Sequence, residues 1–304
     1  MKIFEGFING KCLYTPRGAA REYAEVGCNF YRGCPYQCRY CYNRKGITAG
    51  TLGGDKPVLM DKFTDLKYRP KRLSHLSAEQ YAFHVFREEI VKYARIVKEA
   101  GIFFSFTTDP MCLECFALTW MAAEYAIGLG IPVRILTKNA HYNMVQMVLI
   151  NNIPRTQRSM LSLGFTLTGR DDWEPHADSN LMRIQRMQLF HEMGFRTFAS
   201  VEPIVDFNSS YSMIQQAVGF CNEFLIGLMS KRPKELPPYD NEECARFIAD
   251  VDRLLTDAAS NGRLHGRVRV YWKESMRKFM AHDENAMKII RFEKWYSEKA
   301  TKWV

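Results

Sequence analysis

Three cysteines, Cys34, Cys38 and Cys41, stand in a Cys-x3-Cys-x2-Cys run inside the segment Cys28-Asn-Phe-Tyr-Arg-Gly-Cys-Pro-Tyr-Gln-Cys-Arg-Tyr-Cys-Tyr42. Three thiolates on one short loop can grip three irons of a cubane [4Fe–4S] cluster, where the usual iron–sulfur protein supplies four cysteines. The fourth iron then keeps an open coordination position, and an open position on a metal is where a reactant binds. A competing reading is structural zinc. Cys38 and Cys41, with Cys112 and Cys115, have the paired spacing of a four-thiolate tetrahedral site, but that reading leaves Cys34 without a role. Gly33, Gln37 and Arg39 make the segment a polar loop, which is a poor place for cysteines that merely fill a core.

Such a loop has to be carried by something rigid. Short apolar runs recur at about thirty-residue intervals, the length of a βα unit: Ile102–Thr107, Val133–Thr137, Met160–Thr168, Phe195–Val201 and Glu223–Met229, with a first run near Val26–Phe30. Between them lie helical patterns. Ser77 and Gln80 make a capping box, followed by Phe83, Phe86, Ile90, Ala94 and Val97 at 3–4 spacing and by Gly101 as a stop. Further helices are expected from Glu114 to Leu129, near His141–Ile150, after Asp178 or Ser179 (burying Leu181, Ile184 and Met187), over Ser209–Gly219, and after Asp240. Alternating strands and helices imply right-handed crossovers and a parallel sheet. The expected fold is therefore α/β, a partial (β/α)6 TIM-type barrel of parallel strands with a helical C-terminal extension. An open doubly wound sheet is the alternative that periodicity leaves standing. Residues 1–25 are expected as an N-terminal arm, 26–231 as the barrel and 232–304 as a helical part packed on it.

Barrel chemistry collects at the carboxyl ends of strands, and those ends are polar here: Thr107-Thr-Asp109, Thr137-Lys138, Thr168–Asp172, Ser200-Val-Glu202 and Ser230-Lys231. Glu202 at such a mouth can bind a substrate amine or a ribose, or can hold the Pro203 turn. Asp109 and Lys138 are as well placed to pair with each other as to meet a ligand. Cys112 and Cys115, one turn beyond Asp109, can quench a radical or sit inert at a helix start. Tyr42 can contact substrate, relay a radical or pack under the loop. The segment around Trp173 reads as a lid. His141 and His176 receive no role.

Bulk properties narrow the classes. No stretch of the 304 residues approaches the apolar length of a membrane span. The opening Met1-Lys-Ile-Phe-Glu-Gly lacks the apolar region of a secretion signal, and nine cysteines fit a reducing compartment. The expected location is cytoplasmic. A net charge of +9 favours polyanionic partners. Its denser patches are Lys67, Arg69, Lys71, Arg72 and His75, and a C-terminal run of Arg277, Lys278, Lys288, Arg291, Lys294, Lys299 and Lys302 interleaved with Phe292, Trp295, Tyr296 and Trp303. Solvated surface charge explains them equally well.

The cysteine run resembles the signature of the radical S-adenosylmethionine superfamily. The likeness to its spore photoproduct lyase-like group extends over residues from about 13 to 230, through Thr15-Pro-Arg-Gly-Ala-Ala, Glu22-Tyr-Ala, Asn29–Cys34, Tyr40-Cys-Tyr-Asn, Ser105–Pro110, Leu136-Thr-Lys, Gly164–Thr168, Trp173-Glu-Pro and Val201-Glu-Pro-Ile. The resemblance implies a [4Fe–4S] cluster on Cys34, Cys38 and Cys41, S-adenosylmethionine on the open iron, and its reductive cleavage to a 5′-deoxyadenosyl radical. It also implies an external electron donor of the flavodoxin or ferredoxin type. By the same resemblance Tyr40 lies near the adenine, Thr108 and Asp109 beside the methionine amino group, Lys138 by the carboxylate and Thr166 at a further hydrogen bond. The lyase carries a hydrogen-donating thiol just before its Thr-Ser-Asp strand end; Phe106 stands there in this chain, so the repair reaction does not carry over. The expected substrate is a nucleic acid or nucleotide. The alternatives are a peptide or small molecule under the same chemistry, and a non-catalytic zinc protein that binds nucleic acid.

Overall fold

Runs of β-branched and aromatic residues bounded by glycine, proline and polar turns form the strands of the computed structural model, which describes residues 7–297. The chain divides into two units: residues up to Gln37 together with Cys41–Ser162, and Cys38–Tyr40 together with the residues from Leu163 onward.

In the first unit, β1 (Leu13–Tyr14) pairs antiparallel with β2 (Gly27–Cys28). A separate antiparallel pair is made by β3 (Tyr31–Arg32) and β4 (Val58–Leu59). From β2 the sheet continues in parallel to β5 (Ile102–Phe104) and β6 (Val133–Thr137), with Cys28 opposite Phe104 and Phe104 opposite Ile135. These strands are nearly continuous apolar runs because helices cover them, as parallel sheets require. The capping box forms as the spacing predicts: Gln80 N–H donates to Ser77 Oγ at 3.1 Å and Ser77 N–H to Gln80 Oε1 at 2.8 Å. The helix behind it, Ala78–Lys92, buries Tyr81, Ala82, Val85, Phe86 and Ile90. Val85, Phe86 and Ile90 each contribute roughly 1.5–3 kcal/mol relative to exposure. Gly101 stops the following turn at φ +71°, where an added Cβ would lie 2.8 Å from the Pro132 carbonyl. Helix Leu113–Gly128 buries Phe116, Trp120, Ala123 and Ile127. Helix Met144–Asn151 starts later than expected, because Asn143 rather than His141 supplies the cap, accepting from Gln146 N–H at 2.9 Å.

In the second unit the strand order is β7 (Leu161–Thr166), β8 (Arg196–Ile204), β9 (Glu223–Leu228), β10 (Val268–Trp272) and β11 (Lys294–Tyr296). Strands β8, β9 and β10 run parallel, and β11 closes the edge antiparallel. Helix Asn180–Glu192 is capped by Ser179, Phe207–Ala217 by Asp206 and Asn241–Ser260 by Asp240. The last of these buries Cys244, Phe247, Ile248, Val251, Leu254 and Leu255, the face its periodicity predicts.

All six expected strands are present, the sheets are mostly parallel, and the fold is α/β without closure. Two expectations change. The sequence predicts a helical part over 232–304, yet Val268–Trp272 adds a parallel strand and Lys294–Tyr296 an edge strand. Alternating burial along Val268-Arg-Val-Tyr-Trp272 is the strand signal. Leu181, expected in the core, is 57% exposed, because buried Asn180 turns its amide inward to serve the preceding loop. Lys299, Lys302 and Trp303 lie outside the described residues, as does the start through Gly6.

Candidate cofactor site

Gly33 enters the cysteine loop at φ +80°, a conformation glycine adopts without strain. A Cβ there would stand 2.3 Å from the Lys56 carbonyl oxygen, so the approach of the two backbones excludes a side chain. Cys34 N–H donates to Gly54 O at 2.9 Å. Gln37 supplies a second left-handed residue, at φ +48°. None of the three thiols is in a disulfide; Cys38 is buried, and Cys34 and Cys41 are half-buried. Among the described residues no three of His, Cys, Asp and Glu gather as a single metal ion would need. Thiolates that each take a different iron of a cluster do not have to converge on one point. The donor set fits such a cluster: unbridged thiols on a loop held by glycine geometry.

In the first unit the strand ends after β5 and β6 come together. Asp109 is buried and accepts from Thr137 Oγ1 at 2.6 Å, from Lys138 N–H at 2.7 Å and from Met111 N–H at 3.0 Å. Burial pushes its carboxyl up, against the pull of these donors. The Asp109–Lys138 contact thus uses the lysine main chain. Thr108 Oγ1 lies 3.8 Å from Cys115 Sγ. Cys112 and Cys115 are buried at the start of helix Leu113–Gly128. The hydrogen bond with Cys115, then burial, pushes the Cys112 thiol far up, so it stays protonated. Tyr42 is exposed and its hydroxyl donates to the Phe106 carbonyl, which also accepts from Asn43 Nδ2 at 3.0 Å. The Phe106 ring stacks on Phe103 with centroids 4.5 Å apart. A further tyrosine escapes sequence reasoning: Tyr36 is buried, and burial followed by the Asp109 charge pushes its hydroxyl far up.

In the second unit Glu174 and Arg183 are both fully buried, with Arg183 Nη1 2.7 Å from Glu174 Oε2. The same carboxylate accepts from the Tyr40 hydroxyl, from Thr168 Oγ1 at 3.2 Å and from Asn180 Nδ2 at 3.4 Å. Arg183 also donates to the carbonyls of Thr166, at 2.9 Å, and Asp178, at 2.8 Å. Arg39 N–H donates to Trp173 O at 3.0 Å, so both residues that follow Cys38 are tied to this network. Burial, reinforced by Glu174, pushes the Tyr40 hydroxyl well up, which keeps it a donor. Trp173 packs with Val205 and Met229, and Tyr40 joins that cluster. In the segment expected as a lid, Trp173 and Glu174 are therefore buried in a wall, while Asp171 and Asp172 are exposed. Arg170 reinforces the wall with paired bonds to Asp172 at 2.8 and 2.7 Å and a third to Asp206 at 3.0 Å.

Glu202 meets the ammonium of Lys273, a buried lysine at the end of β10. The unit has no room for a larger residue beside them: a Cβ on Gly227 would lie 2.9 Å from Glu202 Oε1 and 3.0 Å from Lys273 Cδ. Thr166 is buried on β7. The partners missed in the sequence are Glu174, Arg183 and Lys273. Arg183 carries a signal that was available: a charged residue sharing the inward face of Asn180, Ile184 and Met187.

The basic patches are partly spent on internal contacts. Arg69 is buried and donates to the carbonyls of Phe63 and Leu76, and Lys67 pairs with Asp65 at 2.7 Å. Lys278 pairs with Glu274 at 2.8 Å and Lys294 with Asp252. No described helix is long and apolar enough to cross a membrane.

No family model matches the sequence, and no curated protein matches it. Solved structures do. Spore photoproduct lyase complexed with dinucleoside spore photoproduct aligns at TM-score 0.54 and 14% identity, over 80% of this chain and 76% of that chain. A variant of that lyase with bound AdoMet and dinucleoside spore photoproduct aligns at 0.50 and 13%, over 87% and 76%. Streptococcus suis SuiB bound to S-adenosylmethionine aligns at 0.48 and 11%, and the chain spans 51% of its length. The chain shares the fold of the lyase.

Proposed function

We propose that the chain is a cytoplasmic radical S-adenosylmethionine enzyme acting on a nucleic acid or nucleotide. The observation that carries this reading is the coincidence of an unbridged Cys-x3-Cys-x2-Cys loop with a fold shared with spore photoproduct lyase. Cys34, Cys38 and Cys41 would hold a [4Fe–4S] cluster. When bound, that cluster would supply the electron that cleaves S-adenosylmethionine to the 5′-deoxyadenosyl radical. An external flavodoxin- or ferredoxin-type protein would deliver the electron.

The chain's own residues bind, orient and exclude water. Asp109 fixes the strand ends that present Thr108 and Lys138 to the methionine end of the cofactor. Tyr40, held in place by Glu174, belongs to its adenosyl end, and Thr166 gives the cofactor a further hydrogen bond. Glu202 is engaged by Lys273, and that ion pair competes with any substrate amine. Cys112 retains its hydrogen under burial and its bond with Cys115, as a thiol must if it is to return a hydrogen atom to a substrate radical. Tyr42, next to Cys41 in sequence, stands exposed as the residue for substrate contact. The nucleic-acid assignment draws on the net charge of +9 and on the dinucleoside held by the lyase.

The test is binding of labelled single-stranded DNA and RNA to anaerobically reconstituted protein across a salt series. Affinity should fall steeply as salt rises, as phosphate contacts require. Absence of binding at low salt, with a peptide or small molecule protecting the protein instead, would transfer the same chemistry to the alternative substrate class.

A further inference from the structure

Most buried charge in this protein is accounted for by architecture. Arg69 ties off carbonyls, and Glu89 collects the backbone N–H groups of Lys11, Cys12 and Leu13. Arg183 is completely buried on helix Asn180–Glu192, and its Nη2, like the Nε of Arg69, has no hydrogen-bond partner. What sets it apart is its setting. Leaving a guanidinium nitrogen unpaired inside a protein is costly, and such an orphan calls for a reason. The network it belongs to reaches one place: through Glu174 to the Tyr40 hydroxyl, and through Trp173 O to Arg39 N–H, the two residues that follow Cys38. Burial pulls the Arg183 guanidinium down and Glu174 outweighs it, with smaller contributions from Tyr40 and then Cys38, which places the cysteine within electrostatic reach of the guanidinium.

We propose that Arg183 is a positioning residue whose buried positive charge, graded by Glu174, sets the reduction potential of the iron–sulfur cluster on Cys38. The inference rests on the cluster assignment above and concerns residues to which that assignment gives no part. Its physics is simple. Adding one electron to a cluster held by three thiolates increases its negative charge, and a fixed cation in a low-dielectric wall stabilises the reduced form. Glu174 acts in the opposite sense. The two charges must therefore shift the potential in opposite directions, although both variants disturb the same hydrogen bonds.

The experiment is a reductive titration of the reconstituted protein without S-adenosylmethionine, with the reduced cluster counted by electron paramagnetic resonance at the wild-type midpoint. Arg183→Met should lower the reduced-to-oxidised ratio about tenfold, equivalent to about 59 mV for one electron. Glu174→Gln, of nearly the same shape, should raise it by a similar factor. Arg183→Lys, which keeps the charge, should stay within about threefold of wild type. If Arg183→Met fails to fold, the rise in Glu174→Gln with no change in Arg183→Lys still supports the role. Shifts of the same sign in both charge variants, or no shift in either, would overturn it while leaving the cluster assignment intact. Wild-type protein that takes up no iron would overturn the parent reading, and this inference with it.

Discussion

Asp109 has a structural duty at its strand end beside the cofactor contact that the resemblance implies. Its two carboxylate oxygens accept from a threonine hydroxyl and two main-chain N–H groups, and those bonds splice the end of β5 to the end of β6. Asp109→Ala should cost about 3 kcal/mol, since it strands buried donors as well as removing a charge-assisted bond. Asp109→Asn should cost about half that, because one oxygen survives as acceptor. Urea midpoints read both. A loss below about 0.5 kcal/mol in the alanine variant would show that the strand ends are held by something else. Glu174 and Arg183 belong to the same class: charges whose first duty is to shape a wall. Replacing Arg183 alone leaves Glu174 buried and uncompensated, an arrangement that is strongly destabilising in buried pairs.

At the scale of elements, the cysteine loop depends on its entry more than on its middle. Gly33→Ala places a Cβ against the Lys56 carbonyl at a positive φ, and the loop must shift to accept it. Thermal denaturation should show a loss of about 2 kcal/mol or more, and iron uptake should fall with it. Unchanged iron content would mean that the loop tolerates a different entry. The strands and helices here were largely legible, since Ser77, Ser179 and Asp240 announce helix starts and the apolar runs of β5 to β9 have few competing interpretations. What escaped was non-local. Val268–Trp272 is short, carries Arg269 and follows a loop with two glycines, so its identity comes from lying beside β9. Leu181 looks apolar and inward, but a buried asparagine one residue earlier has a stronger claim on the interior. The Trp173 segment resembles a mobile acidic loop until Arg170, Asn180 and Arg183 are seen to pin it. The three cysteines stand out in the sequence as a candidate set because their spacing is local, whereas the Tyr40–Glu174 contact joins residues 134 positions apart and no local pattern announces it.

At the scale of the whole molecule, each unit is a mostly parallel sheet with helices, and the fold is that of spore photoproduct lyase at 14% identity. Such a fold presents polar strand ends on a rigid frame, so the substrate can change while the cofactor chemistry stays. In the proposed function, Phe106 stands where the resemblance implies a thiol, and the Cys112 thiol, pushed far up by its hydrogen bond with Cys115 and by burial, is the candidate to replace it. The most direct measurement is the yield of 5′-deoxyadenosine when anaerobically reconstituted protein is reduced in the presence of S-adenosylmethionine. Wild-type protein should bind about four irons per chain and release the nucleoside, and Cys34→Ala, Cys38→Ala and Cys41→Ala should each abolish its release. Wild-type protein that carries the iron but forms no 5′-deoxyadenosine, or that binds zinc alone, would contradict the account.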